Sequence, residues 1–188
     1  MRGGVPSFRF KAITELSDEK KLLAPLIKTE RLLLRPYRLE DFPHLLALYE
    51  TDRAAFIGGK LSRRQVWDGF MNCVGQWAIL GIGGWAVQEV SSGAVVGEVA
   101  VPKPADYPET ELGWLLFEGF EGRGYAFEAA DAARRWAFSE AHPSSLVSYI
   151  DRDNAWSIRL AGRLGAVLDP TALTPNGDPC HVFRHRGG

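Results

Sequence analysis

The sequence predicts a mixed α+β (α/β mixed) domain with a mostly antiparallel central sheet flanked by helices. Three observations carry this. Two strand-like runs, Trp85 to Val90 and Ala94 to Val101, flank the hairpin punctuation Ser91-Ser92-Gly93. Apolar residues Val66, Trp67, Phe70, Val74 and Trp77 recur at three-and-four spacing between Ser62 and about Leu80, which is helical periodicity. A strand-helix-strand unit near residues 110–150 requires a parallel, right-handed crossover.

Residues 1–27, broken by Gly3, Gly4, Pro6 and Pro25, read as an N-terminal extension that packs on a neighbour or stays mobile. Residues 28–188 read as a single domain. Arg31 to Tyr37 alternates imperfectly as a first strand, with Pro36 at an edge or strand end. Leu39-Glu40-Asp41, followed by Leu45, Leu46, Leu48 and Tyr49, starts a helix with carboxylates in the turn where the helix dipole favours them. After the helix from Ser62, Gly81 to Gly84 breaks the chain, and the hairpin runs follow. Thr110 to Phe117 is expected to be a third strand of one meander. From Gly124 to about Glu140, Ala126, Ala130, Ala133 and Ala137 form a small-residue stripe that lets a helix lie close to a sheet. Ser145 to Ile150 reads as a strand, Asn154 to Leu164 as a helix ended by Gly165, and Cys180 to Arg184 as a last strand.

Composition excludes several classes. Of 188 residues, 46% are hydrophobic and 24% charged, and Lys+Arg at 22 against Asp+Glu at 23 gives a net charge of -1. That balance leaves no basic excess to release counterions from a nucleic acid, so no nucleic-acid partner is expected. The longest apolar stretches fall far short of the roughly 20 residues that cross a bilayer, so no membrane partner is expected either. Met1 to Lys11 lacks the apolar run of a secretory signal, and the two cysteines, Cys73 and Cys180, have no metal-ligand spacing. A cytoplasmic protein without a metal is the expectation.

The most informative segment is Gly119-Phe120-Glu121-Gly122-Arg123-Gly124-Tyr125-Ala126, which leaves a strand and opens a helix. Glycines permit positive φ and close backbone approach, and the free N–H groups of a helix start favour a pyrophosphate. Arg123 could add a charge-assisted contact. A glycine-rich turn without a ligand fits the same residues. The order G-x-x-G-x-G is wrong for the dinucleotide fingerprint, and no Gly-Lys-Ser/Thr is present for a P-loop.

Glu121 to Ala129 resembles the acetyl-CoA pyrophosphate loop of GNAT-superfamily N-acetyltransferases, whose pattern is Gln/Arg-x-x-Gly-x-Gly/Ala. Gly124 and Ala126 match, and Glu121 stands where Gln or Arg is usual. Because backbone amides do most of the phosphate binding, Glu121 should weaken affinity rather than abolish it. Thr29 to Pro36 with Glu40-Asp41 resembles the opening of the RimJ/RimL-like branch, which acetylates N-terminal amines of ribosomal proteins. Glu111-Leu112-Gly113-Trp114 resembles that branch's fourth strand, and Asn154-x-x-Ser157 before Leu164-Gly165 resembles its Asn-x-x-Ser…Leu-Gly segment. The likeness covers most of the chain from Thr29.

The resemblance implies a GNAT fold with a V-shaped split between the fourth and fifth strands, and acetyl-CoA as cosubstrate. Pantetheine would pair with backbone near Leu116 and Phe117, and Gly122, Arg123, Gly124, Tyr125 and Ala126 would hold the pyrophosphate. Asn154 would bind the pantetheine amide, although an N-cap fits it equally well. Ser157 would serve the leaving thiolate. The acceptor would be an amine, on a protein N-terminus or a small molecule, taken by a monomer or homodimer. Deprotonating that amine needs a base. Glu111 is the first candidate, because alternation places it on one face with Gly113 and Leu115, where desolvation raises a carboxyl pKa. Glu98 is the rival and His181 a weaker one. A rival of another class is a non-catalytic acyl-CoA sensor on the same fold.

Overall fold

A computed structural model of the chain describes residues 23–187. The expected extension therefore lies mostly outside the described residues. From Leu23 the chain already packs on the domain: Ala24 is buried, and the indole N–H of Trp85 donates to the Pro25 carbonyl at 2.8 Å.

Thirteen elements follow. Strands β1 (Ile27–Lys28) and β2 (Leu32–Arg35) lead to helices α1 (Phe42–Tyr49) and α2 (Arg63–Leu80), then to the hairpin β3 (Gly84–Glu89) and β4 (Val95–Ala100). Strands β5 (Thr110–Glu111) and β6 (Gly113–Leu116) precede α3 (Tyr125–Trp136), and β7 (Leu146–Asp151), α4 (Ala155–Arg163), β8 (Val167–Leu168) and β9 (Cys180–Arg184) complete the chain. The predicted α2 is present because Ser62 and Gln65 form a reciprocal capping box and its apolar stripe is buried through Val66, Phe70 and Trp77. The helix from Gly124 turns wider than expected near its end. Ala137–Ala141 is π-helical, and the His142 N–H donates to the Ala137 carbonyl at 2.8 Å.

The expected single strand over Thr110–Phe117 is two strands in two sheets. One sheet has the order β1-β2-β3-β4-β6 with antiparallel neighbours throughout, and the other has the order β5-β7-β9-β8. Within the second, β5 runs parallel to β7, pairing Thr110 with Leu146 and Glu111 with Val147, as the strand-helix-strand unit requires. The exchange happens at Leu112. Its N–H donates to the Val147 carbonyl at 2.7 Å, and its carbonyl accepts from the Ser148 hydroxyl at 2.6 Å instead of from a ladder amide. Periodicity misses the break because both halves are strands with one continuous alternation.

Alternation along β4 and β6 gives the first sheet two different faces. Val99 and Trp114 stand opposite each other and face α3, where Trp85, Val87, Leu112, Ala129, Ala130 and Ala133 are buried together. The rings of Trp77, Trp85 and Trp136 meet edge to face at the end of this core. On the other face, Glu98 stands opposite Leu115, and Leu115 packs with Phe42, Leu45, Leu48, Val66, Phe70 and Phe117 under α1 and α2. Burying Phe70 alone contributes about 2 kcal/mol. Among the described residues, no helix is long and apolar enough to cross a membrane.

Candidate active site

The segment between β6 and α3 makes a concave backbone surface. Gly119, Gly122 and Gly124 have φ of +85°, +73° and +82°, a left-handed conformation that residues with a Cβ rarely adopt. Gly124 is the N-cap of α3 and has no side chain to satisfy the helix start. The first intrahelical donor there is the Glu128 N–H, which reaches the Gly124 carbonyl at 3.1 Å. The N–H groups of Tyr125, Ala126 and Phe127 therefore point out of the helix, which is an anion-binding arrangement. Arg123 is exposed, with its guanidinium 5.5 Å from the Phe120 ring centre.

Arg31 braces this loop from below, a role the sequence reading did not assign. Its Nη1 donates to the Arg123 carbonyl at 2.9 Å, its Nε donates to Glu128 at 2.8 Å, and its guanidinium covers the Tyr125 ring. Glu128 also accepts from the Thr29 hydroxyl and the Arg31 amide. Burial would raise the Glu128 carboxyl, but these donors outweigh it and hold the group below the usual range. Arg31 lies in the stretch from Thr29 to Pro36 that resembles the family, but contact with a loop some ninety residues on (92 between Arg31 and Arg123) leaves no local signal.

Strand β6 presents an open backbone edge. The Phe117 N–H donates to the Val96 carbonyl at 2.9 Å, so Phe117, Leu115 and Gly113 direct their peptide groups at β4. Trp114 and Leu116 direct theirs the other way, where pairing with β7 has ended at Leu112. Of the two residues expected to offer backbone to pantetheine, Leu116 thus faces the open edge, while the Phe117 amide is committed within the sheet. Gly97 makes the tight β4–β6 pairing possible, because a Cβ there would lie 2.2 Å from the Leu115 carbonyl oxygen.

Both candidate bases lie on the α1–α2 face of this strand pair. Glu111 is half-buried, and a Cβ at Gly113 would come within 3.7 Å of its Oε1, so glycine leaves that carboxyl uncovered on one side. Desolvation, reinforced by the charge of Glu98, pushes the Glu111 carboxyl up to about 7. Glu98 is also raised, mainly by burial, but it accepts a hydrogen bond from the Tyr37 hydroxyl, which favours its charged form. Burial and the two carboxylates raise the Cys73 thiol as well. Tyr37 is held in place by the turn that follows β2. Arg35 forms a two-point pair with Asp41 at 2.7 and 2.8 Å, and both side chains are nearly inaccessible. The Arg38 N–H also donates to Asp41 at 2.7 Å.

The start of α4 lies at the carboxyl end of β7, as the start of α3 lies at that of β6. Asn154 caps α4, its Oδ1 accepting from the Ser157 N–H at 3.1 Å, which leaves its side-chain amide N–H groups as the free donors. Ser157 is half-buried in the first turn. Arg159 and Arg163 cover the rings of Trp156 and Phe127 at 4.3 and 4.5 Å. His181 pairs across from Ile150 on β9, in the second sheet. A cavity of about 210 Å³ at Val167 to Pro170, Arg184 and Arg186 shares no residue with this site.

A backbone edge leading into a glycine-rich helix start, with a desolvated carboxyl on the preceding strand, is an arrangement that suits an acyltransferase. Residues 31–167 match the acetyltransferase (GNAT) domain family, and the chain belongs to that family, in its RimJ/RimL-like branch. An acetyltransferase from Agrobacterium tumefaciens str. C58 is 34% identical, with a TM-score of 0.83 over 97% of this chain and 99% of that one. YkkB of Bacillus subtilis (strain 168) is 29% identical over 108 residues, 56% of this chain, so the match spans 62% of that relative's length. The microcin C7 self-immunity acetyltransferase MccE, solved with acetyl-CoA and AMP, is 15% identical with a TM-score of 0.63 over 83% of this chain and 92% of that one, a likeness of fold alone.

Proposed function

We propose that the protein is an N-acetyltransferase that moves an acetyl group from acetyl-CoA directly to a primary amine, on a protein N-terminus or a small molecule, with both substrates bound at once. The observation that carries this reading is the Glu111 carboxyl, pushed up to about 7 one residue before the strand leaves β7 for its open edge. At neutral pH such a group is part ionised and takes a proton well. Glu98, fixed by Tyr37, contributes charge that tunes Glu111 rather than acting as the base.

The residues divide the work along the chain. Trp114 offers its backbone N–H and carbonyl, and Leu116 its N–H, to the amides of the pantetheine arm, while the Leu116 carbonyl accepts from Arg53. Gly122, Arg123, Gly124, Tyr125 and Ala126 hold the pyrophosphate by the loop and helix N–H groups. The Asn154 amide donates to a pantetheine carbonyl while its oxygen caps the helix. Glu111 removes one proton from the acceptor ammonium. The freed nitrogen lone pair forms the C–N bond at the acetyl carbon and the C–S bond breaks, and the second proton of that nitrogen passes through Ser157 or water to the departing thiolate, leaving the amide and the free CoA thiol.

Titration calorimetry with acetyl-CoA, and separately with ATP and NAD, followed by an amine screen for thiol release, tests this. Micromolar binding of acetyl-CoA alone, with turnover on at least one amine, is expected. Absence of acetyl-CoA binding removes the loop assignment, and binding without turnover against any amine leaves a sensor.

A further inference from the structure

Glu121 poses an electrostatic problem for a loop that receives a diphosphate, because its carboxylate sits one residue before the N–H groups of Gly122 to Gly124. The structure answers it from a different part of the chain. Arg53 lies in the short 3-10 turn Asp52–Phe56 between α1 and α2, whose N-cap Thr51 accepts from the Arg53 N–H. Its Nη2 forms an ion pair with Glu121 and donates to the Leu116 carbonyl at 3.1 Å. The other carboxylate oxygen of Glu121 accepts from the Gly119 N–H at 2.9 Å. One guanidinium thus joins the end of the open β6 edge to the first residue of the anion loop.

Stability does not account for this pair. Its side chains are 37% and 44% exposed, and exposed ion pairs contribute little to folding. What the pair changes is the field at the loop.

We propose that Arg53 is a positioning residue of the acyl-CoA site, which neutralises Glu121 and so keeps the loop receptive to the diphosphate. This rests on the acetyl-CoA reading above. It makes the cosubstrate site a product of two distant segments, the α1–α2 connection and the β6–α3 loop.

A double-mutant cycle read by acetyl-CoA calorimetry tests it, with melting midpoints as a check on folding. Arg53→Met should raise the Kd for acetyl-CoA about tenfold. Glu121→Gln should leave it unchanged or lower it. The double variant should return to within about threefold of the wild type, because the carboxylate that needed neutralising is gone. A brace acting only on the strand would be lost equally in both Arg53 variants. Recovery in the double variant therefore separates the electrostatic role from a structural one. The proposal is overturned if Arg53→Met changes the Kd less than about threefold, if the double variant stays as weak as Arg53→Met, or if Glu121→Gln alone weakens binding by more than that. Wild-type binding with an unaffected Arg53→Met removes only this inference. No binding by the wild type removes the acetyl-CoA reading and the inference together.

Discussion

Replacing Glu111 with Gln should abolish acetyl transfer and, in the same protein, raise stability at alkaline pH. Desolvation and Glu98 lift the folded-state carboxyl from an ordinary 4.5 to about 7. Between those values the folded state holds a proton that the unfolded state has released, so stability falls as pH rises through this window. At 1.36 kcal/mol per pH unit, the ionised group costs at most about 3 kcal/mol above pH 7. Glutamine has the same shape and no charge to desolvate. The assay is urea unfolding of wild type and Glu111→Gln from pH 4 to 9, read as the difference between the two stability curves. That difference is needed because His185, pushed down to about 4 by burial, acts in the opposite sense. Its neutral form is favoured in the folded state, so its contribution is lost as pH falls from 6.5 towards 4 and would mask the Glu111 slope in either raw curve. The variant should gain on the wild type progressively between pH 4.5 and 7 and hold that gain above. Parallel curves would refute the desolvation argument, and wild-type turnover in Glu111→Gln would remove Glu111 as the base.

Four further outcomes follow from the same contacts. Arg35→Met should destabilise the fold by about 3–5 kcal/mol in denaturant melts, because it leaves Asp41 buried and unpaired; burial alone would raise the Asp41 carboxyl, but Arg35 and the Arg38 amide hold it low, so the stability it adds is lost only as pH falls below the ordinary 3.8. Gly97→Ala should force β6 away from β4 and lower the melting midpoint by several degrees, about 1–3 kcal/mol of overpacking, with acetyl-CoA affinity falling alongside. Gly124→Asp should weaken acetyl-CoA binding by at least a few kcal/mol through strain and charge repulsion, measured by calorimetry; retained affinity would contradict the loop assignment. Asn154→Ala should lower the melting midpoint through loss of the cap, about 1 kcal/mol, and also raise the acetyl-CoA Kd, and a change in stability alone would leave Asn154 only a cap.

Local chemistry explains what could be read from the chain. The apolar spacing of α2, the alanine spacing of α3, the Ser-Ser-Gly hairpin turn and the glycines from 119 to 124 each act through near neighbours, so the elements they specify were legible. The parallel pairing of β5 with β7 was legible too, because a helix must cross between them. What stayed hidden depends on distant partners. The change of sheet at Leu112 rests on Ser148, and the bracing of the anion loop rests on Arg31 and Arg53, whose partners lie 92 and 68 residues away. Glu98 and Glu111 were both visible as carboxylates on strands. Alternation ranked Glu111 first, but the Tyr37 hydroxyl that engages Glu98 comes from a residue 61 positions away and left no local signal.

The change of sheet has a mechanical side. Glu111 is pinned to β7, while Trp114 and Leu116, three and five residues onward, ride on β4. The proposed base and the proposed pantetheine edge thus sit on opposite sides of a single residue, Leu112, whose carbonyl accepts from the Ser148 hydroxyl, itself bonded to His185 at 2.9 Å. The separation between the Glu111 carboxyl and the β6 edge is therefore set by how the two sheets sit against each other at Leu112. Under the proposed function, substitutions along α4 or β9 that shift the second sheet should change turnover without contacting either substrate.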